Sequence, residues 1–183
     1  MSKAQRIAFD GLLAAVYFAL TYFVIKPAGD SLKITFASLA LVVTAMLFGP
    51  ADACIVALIG EALYQIIIFG VTATMPIWLL PPVLHALVLG QFAMLLRKKS
   101  KPLYERTTLC YVVVVFCGIL NALFNSAALY ADSKIWGYYK PEIVFGMMLI
   151  RILIAVGTAV LVTSVAIPLL RTLRKKGMLS VSM

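Results

Sequence analysis

The hydrophobic positions of this chain gather in long runs separated by short polar breaks. Apolar stretches approaching the roughly 20 residues that cross a hydrocarbon core number six: Ile7–Ile25, Ile34–Phe48, Ala51–Phe69, Ile77–Leu96, Thr108–Tyr130 and Ile143–Leu170. The second is short, which suits a tilted or partly spanning helix, and the last is long enough to run on beyond the membrane. Gly49-Pro50, Met75-Pro76 and Lys140-Pro141 fall at the breaks, where helices must turn or start. The pattern predicts an all-α integral membrane protein: a six-transmembrane-helix bundle, folded as a single domain over residues 1–183.

Composition agrees with that reading. The chain is 63% hydrophobic and 13% charged, with a mean hydropathy of +1.05, outside the range of soluble globular domains. Basic residues then set the orientation. Lys3 and Arg6, Arg97, Lys98, Lys99, Lys101 and Arg106, and Arg171, Arg174, Lys175 and Lys176 all fall on one side of the predicted layout. Lys26, Lys33, Lys134 and Lys140 fall on the other, diluted by Asp30, Asp132 and Glu142. Cytoplasmic loops carry the Lys and Arg excess, so both termini are expected in the cytoplasm. The same distribution accounts for the net charge of +9 as membrane anchoring and not as a nucleic-acid surface. The first run is longer than a signal-peptide core and lacks a small-residue cleavage site before Lys26, which marks it as a retained helix. Cys54, Cys110 and Cys117 sit inside predicted helices without metal-ligand spacing and read as packing residues.

Against this background the polar residues inside the runs carry the information. Arg151 lies within Ile143–Leu170, where a guanidinium costs roughly 2.5 to 3.5 kcal/mol on insertion scales and normally faces a cavity or the bundle interior. Counting about 1.5 Å per residue from the outer ends places Gln65 and Asn125 about 9 Å deep, His85 about 12 Å, Arg151 about 13 Å, and Glu61 and Asn121 about 15 Å. Glu61 and Gln65, like Asn121 and Asn125, are spaced i, i+4, so each pair shares a helix face. Taken singly, these residues also suit a structural role: a Glu61–Arg151 ion pair, amides bonding neighbouring helices, a histidine on a carbonyl. Helix glue has no reason to stay in one half of the membrane, however, and the inner halves hold little beyond Thr108, Thr158, Thr163 and Ser164. A polar pocket opening outward is the expectation, with Trp78 and the group Trp136, Tyr138 and Tyr139 at its rim; aromatic enrichment at any membrane interface is the plainer account of that rim.

Ala4, Ala8, Gly11, Ala15 and Ala19 step by four, three, four and four along the first helix, giving a flat small-residue face that another helix can approach closely. Its partner is either another helix of this chain or a second protein. Several chemistries lack their motifs. There is no G-x-x-x-x-G-K-[ST] phosphate loop, no G-x-S-x-G elbow, and a single histidine rules out an H-E-x-x-H zinc site. The chain is therefore not expected to be an enzyme, and neither a cofactor nor a metal is expected.

Leu32-Lys33-Ile34-Thr35-Phe36-Ala37-Ser38-Leu39, Met46-Leu47-Phe48-Gly49-Pro50, Gly60 through Gln65, Gly70-Val71-Thr72 and Trp78-Leu79-Leu80-Pro81-Pro82 resemble the substrate-binding S components of energy-coupling factor (ECF) vitamin transporters, in particular the folate-family branch. The similarity covers most of residues 7–96; the second half agrees in layout. The resemblance implies a protein of the bacterial cell membrane that captures a vitamin from outside and docks on a transmembrane coupling (T) component with two ATPases. It further implies docking through Gly11, Ala15 and Ala19, and a binding site that includes His85, Asn121, Asn125 and Arg151. Glu61, Gln65, Trp78 and Lys33 join that site from depth and charge. Arg151 with His85 or Lys33 suits a carboxylate-bearing vitamin such as folate or pantothenate; cobalamin and pyrimidine or pyridoxine compounds stay open. A stand-alone permease is the alternative, and an intramembrane enzyme a more distant one. The unbroken helices and apolar inner half speak against a pore through both halves.

Overall fold

The computed structural model describes residues 3–23, 34–99 and 102–175. Six α-helices follow one another along them: α1 (Lys3–Tyr22), α2 (Ser38–Leu47), α3 (Pro50–Phe69), α4 (Met75–Lys99), α5 (Thr107–Ile135) and α6 (Met148–Lys175). A 3-10 turn, Leu103–Glu105, precedes α5, and a π-helical turn, Glu142–Gly146, precedes α6. Proline and glycine set several boundaries. Gly49 takes φ 99°, a conformation that L side chains avoid, and Pro50 then opens α3 at the position where a missing N–H costs nothing.

The helices form a bundle in which α1 packs on α3, α3 on α4, α4 on α5 and α5 on α6, while α2 lies against α1, α3, α4 and α6. Small residues recur through its interior, where Ala40, Ala45, Ala53, Ala57, Ala86, Ala93, Ala159 and Ala166 are buried beside larger side chains such as Leu41, Leu89 and Leu170. Many other large side chains point outward, among them Ile55, Ile59, Ile66, Ile67, Leu149, Leu153, Leu161 and Val165. This arrangement, small residues between helices and large apolar ones around them, is what a lipid solvent favours, since apolar surface gains nothing by leaving it.

Two of the six expected segments differ from a plain span. α2 has 10 residues, about 15 Å of helix against a hydrocarbon core of about 30 Å, and nearly all of them are buried. It is a short interior element that the surrounding helices enclose. In α1, Lys3 and Arg6 precede the apolar run and Asp10 interrupts it. Among the described residues, the helices long and apolar enough to cross a membrane are α3 to α6. Arg6 fixes the first turns of α1 to the α2–α3 corner by donating to the Asp52 carboxylate at 2.7 Å and to the Phe48 carbonyl at 3.4 Å. The sixth segment also begins differently: the π-turn occupies its first residues, and the α-helix proper starts at Met148.

Candidate functional site

A cavity of about 250 Å³ opens among α1 to α6, in the half of the bundle away from the Gly49-Pro50 corner. Arg151, His85, Asn121, Asn125, Glu61 and Gln65, expected from sequence to lie at one level, all line it, and so does Trp78, expected at its rim. Lys33 lies outside the described residues.

Each wall follows from its helix. α3 places Glu61 and Gln65 one turn apart, and Gln65 Nε2 donates to Glu61 Oε1 at 2.8 Å. Tyr17 on α1 donates its phenol proton to the other carboxylate oxygen at 3.0 Å. That contact needs Gly60, because a Cβ there would lie 2.4 Å from the Tyr17 ring. α4 carries Trp78, Pro82 and His85 at i, i+4 and i+7 on the cavity face; Pro81 and Pro82 withhold the N–H groups that would otherwise bond the carbonyls of Ile77 and Trp78. His85 is buried, and its Nε2 has no hydrogen-bond partner among the described residues. A buried polar atom left in that state costs about 1 to 3 kcal/mol, so a ligand group that satisfies it gains by comparison. α5 supplies Asn121 and Asn125, with Asn125 Nδ2 donating to the Asn121 carbonyl at 2.9 Å and to its side-chain oxygen at 3.2 Å. On α6, Arg151 donates through Nη1 to the Val144 carbonyl at 3.0 Å and to Ser126 Oγ at 3.4 Å. Its guanidinium thus anchors the π-turn to α5 while the residue lines the cavity.

Sequence reasoning missed several lining residues. Tyr17 and Thr21 on α1, Thr35 and Ser38 before and at the start of α2, Tyr64 on α3 and Thr158 on α6 also face the space. A signal for α1 exists: Asp10, Ala14, Tyr17 and Thr21 recur at helical spacing and form its buried face. No comparable signal marked α2 as a wall, because its apolar sequence matches that of its neighbours. Thr158 extends the polar lining toward the half expected to be apolar.

The aromatic rim behaves differently from a ligand cap. Trp136 Nε1 donates to Thr74 Oγ1 at 3.2 Å, tying the α5–α6 connection to the α3–α4 connection. Tyr138 donates to the Asp132 carboxylate; burial, then that hydrogen bond and the nearby negative charge, push its phenol well above the ordinary range, so it stays a donor at neutral pH. Lys134 sits 3.9 Å from the centroid of the Tyr139 ring, and Tyr139 meets Tyr130 edge-on. These groups brace one another, and Trp78 is the aromatic residue of the expected rim that lines the cavity. Gly11, Ala15 and Ala19 are exposed on α1, as are Ala4 and Ala8, on the side opposite Tyr17.

Fold and site together define an all-helical protein with four helices long and apolar enough to cross a membrane among the described residues, and a cavity of mixed polar and apolar lining between its helices. A family profile described as "ECF-type riboflavin transporter, S component" matches residues 1–175; the chain belongs to this family of ECF S components. Two of the solved structures that share the fold illustrate it. One is the S component of a bacterial ECF transporter, with 20% identity, a TM-score of 0.67, and coverage of 95% of this chain and 98% of that one. The other is the S component for biotin from an ECF-type ABC transporter, with 17% identity, a TM-score of 0.56, and coverage of 90% and 94%. Comparison with curated protein sequences gives no match. ECF S components bind a vitamin and work with a T component and ATPases, and theirs is a transporter family and not an enzyme family. The chain is accordingly a multi-pass protein of the cell membrane.

Proposed function

We propose that this S component captures riboflavin from the outer side of the bacterial cytoplasmic membrane. In this reading all six helices are embedded, both termini are cytoplasmic, and the bundle hands its ligand to a T component and two ATPases through Gly11, Ala15 and Ala19. The observation that carries the proposal is the convergence of Glu61, Gln65, Trp78, His85, Asn121, Asn125 and Arg151 on one cavity, within a chain matched along 1–175 by the riboflavin S-component profile. The chemistry suits an uncharged heterocycle. The cavity holds a carboxylate and a guanidinium, so its charges oppose each other, and its amides and imidazole offer both donors and acceptors. The isoalloxazine ring presents the same mixture along one edge, and Trp78 offers a face for stacking. Arg151 favours a second reading, a carboxylate vitamin of the folate or pantothenate type, because a guanidinium pairs best with such a group.

Titration of the detergent-purified protein with riboflavin, folate and pantothenate, followed by tryptophan fluorescence and calorimetry, separates the two. Saturable riboflavin binding with little response to the others is expected. Tight binding of folate or pantothenate alone would transfer the assignment to the carboxylate class.

A further inference from the structure

A second feature lies at the opposite end of the bundle, where the basic residues collect. The 3-10 turn and the last turns of α6 enclose a shallow hollow lined by Tyr104, Glu105, Arg171, Arg174 and Lys175. It shares no residue with the cavity described above. The first charged residue after the apolar run of α6 is Arg171, and α6, at 28 residues, is about 42 Å long against a hydrocarbon core of about 30 Å. The hollow therefore sits at headgroup level.

Its charge is unbalanced. Glu105 is committed to an ion pair with Arg174, which leaves Arg171 and Lys175 one turn apart on the same helix face, a repulsive spacing in the absence of an anion between them. Arg171 is already oriented: its Nη2 donates to Thr107 Oγ1 at 2.8 Å, which holds the planar fork in place. Tyr104 is buried and forms an aromatic wall. Up the same face of α6, at intervals of 11 and 18 residues that return to nearly the same angle, stand Val160 and Leu153, both exposed.

We propose that this hollow binds the phosphate of an anionic phospholipid, with an acyl chain lying along Val160 and Leu153. Basic pockets between helices at this level recognise such headgroups by charge-assisted hydrogen bonds. The exposed apolar track leading away from Arg171 favours a lipid over a free phosphate ion. The assignment rests on the chain being membrane-embedded and does not depend on which vitamin fills the other cavity.

Native mass spectrometry of the full chain, loaded with phosphatidylglycerol or phosphatidylcholine of identical acyl chains, tests it. The protein should retain phosphatidylglycerol preferentially. Arg171→Gln with Lys175→Gln should weaken that preference about tenfold or more. Lys3→Gln with Arg97→Gln removes the same charge from exposed positions at the same end and should leave the preference intact. Equal losses in both double variants would reduce the hollow to diffuse interfacial charge and overturn the proposal. Equal retention of the two lipids by the unmodified protein would overturn it as well, and displacement by excess inorganic phosphate would reassign the hollow to a soluble anion.

Discussion

His85 is costly to the empty protein, and in the proposed binding role the same group becomes useful once ligand is present. Its buried Nε2 lacks a partner among the described residues while the surrounding side chains bond each other. Replacing it with leucine removes the unsatisfied group, so His85→Leu should melt at the same temperature or higher yet bind ligand about tenfold more weakly. Thermal unfolding and calorimetry on the same sample check both halves, and a loss of stability without a loss of affinity would assign the imidazole to packing. Arg151 differs because its Nη1 also holds the Val144 carbonyl. Arg151→Ala is expected to lower affinity by about tenfold to a hundredfold and to lower the melting temperature too, since the carbonyl loses its charged donor. The placement was only partly legible in the sequence. Depth counting put these residues at one level, and they line one cavity; which atom of each is already engaged depends on neighbours far along the chain.

At the scale of elements, close helix contact depends on small residues. Gly90 of α4 faces the start of α3, where a Cβ would come within 2.4 Å of the Pro50 Cα and 2.7 Å of its nitrogen. Backbone atoms at a proline-capped corner cannot yield as a flexible side chain does. Gly90→Ala is therefore expected to destabilise the bundle by about 1 to 3 kcal/mol, measurable as a lower midpoint in a denaturant titration that reads helix content. The long helices α3 to α6 were clear from their apolar runs, with ends displaced by a few residues. α2 was less so. Its run predicted a span or partial span, and the structure shows 10 residues enclosed by four other helices. An apolar run tells that a segment avoids water; it does not tell whether lipid or protein surrounds it.

For the whole molecule, the arrangement separates two surfaces. Tyr17 and Thr21 face the cavity from one side of α1, while Ala15 and Ala19 are exposed on the other. One helix thus borders both the proposed ligand and the proposed partner. Enlarging the outer face with Ala15→Leu and Ala19→Leu should leave ligand affinity within about twofold, because surface changes away from packed contacts are usually nearly neutral. Uptake by cells that carry the complete transporter module should fall sharply. Normal uptake by this variant would remove the docking role of the stripe, and uptake by the S component alone in liposomes would favour the permease reading.

Sequence by itself determined the solvent, the helical class, the long spans and the approximate level of the polar residues, because each follows from local composition and a fixed rise per residue. It also marked the small-residue stripe of α1. Tertiary structure decided the remainder: that α2 is interior, that Tyr17 meets Glu61 across Gly60, that the Trp136 rim braces against Thr74, and that Arg171 is held over a basic hollow by Thr107. Each of these joins residues distant in the chain, and periodicity within one helix carries no information about the azimuth of another.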